Sequence, residues 1–80
     1  MKARIRVMLK PGVLDTQGKA IGHALNGLGF DAVTDVRQGK VIEVELTTDD
    51  RAQAQAQIDE MCRRLLANPV METYSVELVA

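Results

Sequence analysis

The stretch Val41-Ile42-Glu43-Val44-Glu45-Leu46-Thr47-Thr48-Asp49-Asp50 decides the fold, because it joins the clearest strand pattern of the chain to a helix start. Apolar side chains at positions 42, 44 and 46 fall on one side of an extended chain, and the glutamates between them on the other. This alternation predicts a half-buried strand. Thr47 precedes Asp50 in the spacing with which side chains satisfy the free amides of a first helical turn. A strand followed at once by a helix is therefore expected here.

The segment after this stretch has the pattern of a helix and then a final strand. Asn68 can close the helix, and Pro69 prevents its continuation. The stripe that this helix is expected to bury consists of Ala54, Ile58, Met61, Cys62 and Leu65. The side chains that the final strand, at about 71–79, is expected to bury are Tyr74, Val76 and Leu78. That strand contains no proline, lysine or arginine, so we expect its edge to pair with a second copy or another subunit.

The residues before the stretch repeat the same order of strand and helix. Positions 2–10 alternate as a half-buried strand, which Pro11-Gly12 ends. Asp15 is a good N-cap for a following helix with apolar residues at helical spacing. A less regular strand is expected over about 30–37, and Gln38-Gly39 is expected to form a short turn.

The predicted element order is β-α-β-β-α-β, which favours an α+β fold of the ferredoxin-like type. Two right-handed crossovers then give a four-stranded antiparallel sheet of order 4-1-3-2 with both helices on one face. The opposite face would carry Arg4 and Arg6 beside the glutamates at 43, 45 and 77. With 80 residues there is no room for a second core, so a single domain over residues 1–80 is expected.

The composition argues against several classes of partner. The net charge is −1 without long charged blocks, so attraction to nucleic acid or an anionic membrane is not indicated. RNA recognition on such a sheet needs exposed aromatic side chains, and the chain has only Phe30 and Tyr74. The first residues lack the apolar run of a signal peptide, and a cytoplasmic location is expected. Cys62 is the only cysteine and is expected to be a buried thiol, which excludes an intrachain disulfide.

No pattern of catalytic or metal-ligating residues emerges from the chain. His23 is a lone histidine, Asp49 and Asp50 are explained by helix initiation, and Glu43 and Glu45 have arginines opposite. We therefore expect no catalytic, cofactor or metal site of its own. Gly18 and Gly22 lie one turn apart in the first helix, so another backbone could approach them closely. Tight packing against the second helix explains this, and the alternative is a partner or an anion seated at the helix start.

Three connecting segments carry a resemblance to a known family. The first motif is Gly12-Val13-Leu14-Asp15-Thr16-Gln17-Gly18-Lys19-Ala20-Ile21, and the second is Val36-Arg37-Gln38-Gly39-Lys40. The third is Leu65-Leu66-Ala67-Asn68-Pro69-Val70-Met71-Glu72-Thr73-Tyr74. In this order and at this spacing they resemble the PurS family, the small subunit of phosphoribosylformylglycinamidine synthase. Thr16 stands where the family has proline and Met71 where it has a β-branched residue, which puts the rigidity of the first loop in doubt.

The resemblance implies a subunit without catalysis of its own in a glutamine- and ATP-dependent ligase of purine biosynthesis. A large synthetase subunit would use ATP and Mg, and a glutaminase subunit would release ammonia. The small subunit, a dimer or a tetramer, would bridge the two, assist assembly and help pass ammonia between them. No nucleic acid or membrane partner and no cofactor bound by this chain are expected. The residues that we expect to contact the partners are Asp15, Gln17, Gly18, Arg37, Lys40, Asn68 and Glu72.

Two other functions are compatible with the predicted fold. A ligand-sensing module of the ACT type also has Pro-Gly after its first strand, here Pro11-Gly12, and would bind an amino acid at a dimer interface. Such modules usually accompany a catalytic domain, which is not expected here. An acylphosphatase shares the fold but needs an arginine-bearing phosphate loop after the first strand, which this sequence lacks.

Overall fold

The chain forms three strands and two helices in the order β-α-β-α-β, within the residues 1–79 that a computed structural model describes. Ala80, the last residue of the predicted domain, lies outside the described residues. The elements are β1 (Lys2–Leu9), α1 (Thr16–Gly27), β2 (Gly39–Glu45), α2 (Arg51–Met61) with a π-helical turn (Cys62–Leu66) after it, and β3 (Glu72–Val79). The α+β class predicted from the sequence is confirmed.

The sheet is antiparallel, and β1 lies between β2 and β3. Ile5 stands opposite Ile42 on one side and Val76 on the other, so the apolar positions of all three strands share one face. The other members of the core come from α2 and the turn after it. The buried core residues are Ala3, Ile5, Val7, Ile58, Cys62 and Ala67. Burial of Ile58 and Cys62 follows the helical spacing predicted from the sequence.

The prediction of a strand over about 30–37 is wrong for this chain. Residues 31–32 form a turn and residues 33–38 have no regular secondary structure, so the sheet of residues 1–79 has three strands rather than four in the order 4-1-3-2. Among the three strands that form, β1 lies between β2 and the last strand, β3, as the predicted sheet order requires. Val36 lies against Gly18 and Gly22 of α1, and its amide donates a hydrogen bond to the Asp35 carboxylate at 3.0 Å. The segment is therefore held by α1 and not by the edge of β2.

The expected packing of both helices on one face of the sheet is not observed, because α1 stands away from the core. None of its apolar side chains belongs to the buried cluster, and Gly18 is its buried residue. The described chain is 48 Å long and has a radius of gyration of 16.0 Å, whereas a compact domain of this length has roughly 12 Å. The elongation means that α1 and the segment after it project from the sheet that α2 covers.

The predicted burial of Leu65 is also wrong, since 82% of this residue is exposed. The amide of Ala67 donates to the carbonyl of Cys62 at 3.0 Å, a π-type bond between residues five apart. This wider turn rotates Leu65 outward from the stripe that Ile58 and Cys62 begin. Ala67 takes a buried position instead.

The second face of the sheet carries paired charges. The Arg4 guanidinium lies 3.2 Å from the Glu43 carboxylate and 3.6 Å from that of Glu77, so the expected cross-strand pairing is confirmed for Arg4. Lys2 adds contacts to Glu43 and Glu45. No helix within residues 1–79 has the length and apolar content needed to cross a bilayer.

Candidate partner-binding site

The three motifs meet at one end of the sheet. Because β2 and β3 both run antiparallel to β1, the end of β1 at Leu9 coincides with the starts of β2 at Gly39 and β3 at Glu72. The backbone amide of Lys10 continues this contact by donating to the carbonyl of Met71 at 2.8 Å. Antiparallel pairing thus brings segments that are far apart in the chain into one place.

Asp15 joins the first motif to the second. The residue is 5% exposed, and its Oδ1 accepts the amide of Gly18 at 2.8 Å, which is the predicted N-cap of α1. Its Oδ2 accepts the amide of Gln38 at 2.7 Å, across 23 positions of the chain. The Gln38 amide, then the Gly18 amide and the charge of Arg37, hold the pKa of the Asp15 carboxyl below its ordinary value of 3.8. Both carboxylate oxygens are therefore committed within the protein.

Arg37 makes the second link between these motifs. Its Nη2 donates to the carbonyls of Leu9 at 3.1 Å and Lys10 at 3.0 Å, and its Nη1 donates to that of Val13 at 3.4 Å. A planar guanidinium with several fixed donors suits three carbonyls of one loop. Arg37, predicted to contact a partner, thus binds the loop after β1 and acts as a brace.

Gly18 allows α1 to lie directly on the segment before β2. A Cβ at this position would collide with the carbonyl oxygen of Val36 and would lie 2.7 Å from Asp15 Oδ2. The close backbone approach expected at this glycine is present, although the neighbour is Val36 and not the second helix. We call the contacts of Asp15, Gly18, Val36, Arg37 and Gln38 the clasp.

The third motif forms a tight turn closed by its own polar side chains. The amide of Asn68 donates to Glu72 Oε1 at 2.7 Å, and the amide of Val70 donates to Asn68 Oδ1 at 3.0 Å. The carbonyl of Asn68 also accepts the amide of Glu72 at 2.7 Å. The turn that follows the π-helical residues is therefore held to the first residue of β3.

A cleft of about 260 Å³ lies where the three motifs meet. Among its lining residues, Asp15 and Gln17 come from the first motif, Lys40 from the second and Glu72 from the third. Lys40 follows Gly39, and the Met8 side chain occupies the space that a Cβ atom at Gly39 would need. The cleft offers an ammonium, an amide and a carboxylate to a bound group, which suits hydrogen bonding to the backbone or polar side chains of another protein.

The seven residues predicted as partner contacts therefore divide into two sets. Four line the cleft: Asp15, Gln17, Lys40 and Glu72. Gly18 and Arg37 hold the clasp, and Asn68 positions Glu72. Sequence reasoning missed Val36 and Gln38, which act through their backbone groups and carry no side-chain signal. The one available signal was Gly18, since a glycine at a helix start indicates a close neighbour without identifying it.

The residues with chemically reactive side chains lie elsewhere. Cys62 is buried in the core, and this burial, together with the nearby Asp59 carboxylate, raises the pKa of its thiol. His23 is on the exposed part of α1. Within residues 1–79, no group of three or more histidine, cysteine or acidic side chains is placed to hold a metal ion. Among the described residues, the cleft is therefore the candidate site at which most of the predicted contact residues come together.

Comparison with known proteins agrees with the three motifs. The model of the family described as PurS, phosphoribosylformylglycinamidine (FGAM) synthase, matches residues 2–80. The chain is 49% identical over 77 residues to the phosphoribosylformylglycinamidine synthase subunit PurS of Synechocystis, covering 96% of this chain and 77% of that protein.

Two solved structures have the same fold. The crystal structure of Methanocaldococcus jannaschii PurS, one of the subunits of formylglycinamide ribonucleotide amidotransferase, superposes with a TM-score of 0.86 at 38% identity, covering 95% of this chain and 92% of that one. A chain in the structure of PurLQS from Thermotoga maritima gives a TM-score of 0.86 at 32% identity, with coverage of 95% and 93%. The family match over nearly the full chain, the relatives above 30% identity and the shared fold together establish that this chain belongs to the PurS family.

Proposed function

We propose that this chain is the small subunit of phosphoribosylformylglycinamidine synthase in purine biosynthesis, with no catalysis of its own. In this role it bridges the glutaminase subunit and the ATP- and Mg-using synthetase subunit in the cytoplasm, assists their assembly and helps ammonia pass between them. The family membership supports the proposal, and the PurLQS structure supplies a related complex in which a similar chain takes part.

The observation that carries the bridging role is the meeting of the three motifs around one cleft. The residues that build it are held by the clasp and by the Asn68–Glu72 turn, so the surface is formed before any partner arrives. Its lining includes no histidine, cysteine or serine, the side chains that most often act as bases or nucleophiles. A rigid polar surface of this kind is suited to docking, since little conformational entropy is lost on binding.

A homodimer belongs to the same proposal, and a tetramer is the alternative assembly. A chain of 80 residues buries only about 60% of its unfolded surface, so association adds stability. The projecting α1 and the residues that flank it leave Leu14, Ile21, Leu28 and Phe30 exposed, and these apolar side chains favour contact with another protein.

Reconstitution with the two larger subunits tests the proposal. Glutamine-dependent synthesis by the two larger subunits should be low without this chain and restored by adding it, whereas the chain alone should have no glutaminase or ligase activity. Full glutamine-dependent rate without it would contradict the bridging role.

The cleft is tested by a matched pair of lysine variants. Lys40→Ala removes the ammonium from the cleft, and Lys2→Ala removes one from the charged face at the far end of β1. We expect Lys40→Ala alone to weaken binding of the larger subunits, measured by co-sedimentation and by the concentration needed for half-maximal restoration. Equal effects of the two variants would mean that the cleft is not the contact.

A further inference from the structure

We propose that the outer face of the sheet, the face opposite the core and α2, binds an amphipathic helix of one of the larger subunits through Arg6, Met8 and Val41. That helix is expected to carry a carboxylate for Arg6 and apolar side chains for the other two residues. This inference rests on the role as a subunit proposed above and adds a second contact surface to the cleft.

At one end of the outer face, each cation of β1 stands opposite a glutamate of β2. Lys2 is paired with Glu45 and Arg4 with Glu43 in the register of the two strands. Their charged groups lie 3.9 Å and 3.2 Å apart. Cross-strand pairs of opposite charge stabilise a sheet. This end of the outer face is therefore neutralised within the chain.

The next pair in the register breaks this series. Arg6 is exposed and stands opposite Val41 on β2 and Ser75 on β3, neither of which carries a charge. No ion pair of the residues 1–79 includes Arg6. A glutamate at position 41 would complete the series, and the valine leaves the Arg6 guanidinium available to a carboxylate from outside the chain.

Exposed apolar side chains lie around Arg6. Val41 is 58% exposed and Met8 37%. Met8 stands opposite Gly39 and Thr73, and its side chain lies over Gly39. The outward face of an antiparallel sheet is ordinarily polar, whereas methionine and arginine are enriched in protein interfaces. This end of the outer face therefore has the composition of an interface.

The spacing of the three side chains suits a helix. Neighbouring strands are about 4.8 Å apart, and successive residues on one face of a strand are roughly 7 Å apart. Val41 and Met8 therefore lie within about 5–8 Å of Arg6, across and along the sheet. Helix residues three or four positions apart are separated by about 5–6 Å. One helical face that carries an acidic residue and two apolar ones can thus meet all three side chains.

The charges of this face disfavour a second copy as the occupant. Two-fold pairing through the patch would bring Arg6 close to the same residue of the other copy. The glutamates that could neutralise the two, Glu43 and Glu77, already bind Arg4 at 3.2 Å and 3.6 Å. Like charges in such a contact oppose association. The patch is complementary to a different protein that supplies the carboxylate.

The patch adjoins the cleft at the start of β2. Gly39 lines the cleft, and the Met8 side chain lies over the same residue. Lys40, which also lines the cleft, precedes Val41 in the strand. Successive side chains of a strand point to opposite faces, so these two residues present one strand to both surfaces. A subunit that contacts the cleft around this strand end can therefore reach the patch as well.

A matched pair of variants separates binding from stability. Val41→Glu places a carboxylate opposite Arg6, and Glu45→Val removes the carboxylate opposite Lys2. We expect Val41→Glu to raise the dissociation constant for the larger subunits at least about tenfold. Its thermal unfolding should change little, because the new pair with Arg6 offsets the lower strand propensity of glutamate. Glu45→Val should leave binding unchanged, and equal effects of the two variants on binding would reject the patch.

Arg6→Ala gives an independent measurement. Loss of the guanidinium should weaken binding of the larger subunits and reduce its dependence on ionic strength, because an intermolecular charge pair is lost. Lys2→Ala is the control, since Lys2 already has partners within the chain. Unchanged affinity and unchanged salt dependence in Arg6→Ala would overturn the proposal.

Photochemical cross-linking identifies the occupant. Benzoylphenylalanine replaces Val41 in one variant and Glu45 in the control, and both positions lie on the outer face of β2. In the complex with the larger subunits, the label at position 41 should join a peptide of one of them that carries an acidic residue and apolar residues at helical spacing. The label at position 45 should not give this product. A cross-link from position 41 only to another copy of this chain, or none in a complex that forms, would contradict the proposal.

These outcomes separate the patch from the bridging role. If the natural chain restores glutamine-dependent synthesis while Val41→Glu and Arg6→Ala bind as tightly as it does, the patch is rejected and the bridging role stands. If the natural chain does not bind the larger subunits at all, both are rejected.

Discussion

The carboxylate of Asp15 accepts the backbone amide of Gln38 at 2.7 Å, so the side chain that begins α1 is bonded directly to the residue that precedes β2. The same carboxylate caps α1 through Gly18. One side chain therefore fixes both where the helix starts and how that start is attached to the sheet. The stability of α1 and its direction should accordingly change together.

Replacing Asp15 should be more damaging than replacing the other helix cap. Asp50 caps α2 through the amides of Ala52 and Gln53 and makes no bond to a distant element. Asp50→Ala should cost about 1 kcal/mol, the ordinary cost of losing an N-cap. Asp15→Ala should lower the free energy of unfolding further, because the bond to Gln38 is lost as well. Urea unfolding measures the difference, and equal losses would show that the bond to Gln38 adds no stability.

The clasp should weaken in acid. Because the folded-state pKa of Asp15 is depressed, its contribution to stability is fully present above the unfolded pKa of about 3.9 and is lost as the pH falls through the lower folded value. The difference in unfolding free energy between the natural chain and Asp15→Asn should therefore be constant near neutral pH and shrink below about pH 4. A difference that stayed constant to the lowest pH at which the chain folds would rule out this titration.

Arg37→Lys should loosen α1 even though the charge is kept. One ammonium cannot reproduce the planar set of donors that reaches the carbonyls of Leu9, Lys10 and Val13. We expect a loss of about 1 kcal/mol and faster hydrogen exchange in α1 than in β1. Arg63→Lys, at an exposed position of the π-helical turn, is the matched control and should change neither quantity. An unchanged rate of hydrogen exchange in Arg37→Lys would mean that the Arg37 hydrogen bonds do not hold α1 in place.

Two glycines of α1 should respond to alanine with opposite signs. At Gly18 the added methyl group meets the Val36 carbonyl and Asp15, so Gly18→Ala should destabilise the chain by about 1–3 kcal/mol. At Gly27 the methyl group meets nothing within 4 Å, and alanine should raise helix stability by up to about 1 kcal/mol. Thermal unfolding of the two variants measures the sign of each change in stability. Stabilisation by Gly18→Ala would contradict the close contact with Val36.

The Cys62 thiol should react slowly in the folded chain. Its exposure is 0%, and its raised pKa reduces the thiolate that thiol reagents require. Labelling with a disulfide reagent at neutral pH should therefore follow the rate at which the core opens. The same reagent in strong urea should react within the mixing time. Rapid labelling without denaturant would show that the turn at 62–66 opens far more often than the core.

The two helix starts and the long strands could be predicted because their signals lie within a few neighbouring residues. Asp15 and Asp50 cap the helices that follow them, as their side chains and positions indicated. Alternation in β1 and β2 placed Ile5 and Ile42 on the same face. These features depend on local hydrogen bonding and on which side of a strand a residue faces, and both are readable from neighbouring residues.

The failures share a different cause. Leu65 has the helical spacing of a buried residue, but the π-helical turn Cys62–Leu66 rotates it outward. Residues 33–38 form no strand, and Val36 packs on α1 instead. In each case the backbone geometry that the fold adopts overrides a pattern of side chains.

By itself, the sequence determined the α+β class, the caps, the half-buried strands, the buried cysteine and the three motifs by which the family is identified. Only the tertiary structure decided that those motifs meet around one cleft, that Arg37 binds the carbonyls of the segment 9–13 and that α1 leaves the sheet. The physical reason is that the decisive contacts use backbone amides and carbonyls, such as those of Gln38, Val36 and Lys10. Nearly every residue carries these groups, so their pairing over long distances leaves no mark in the order of side chains.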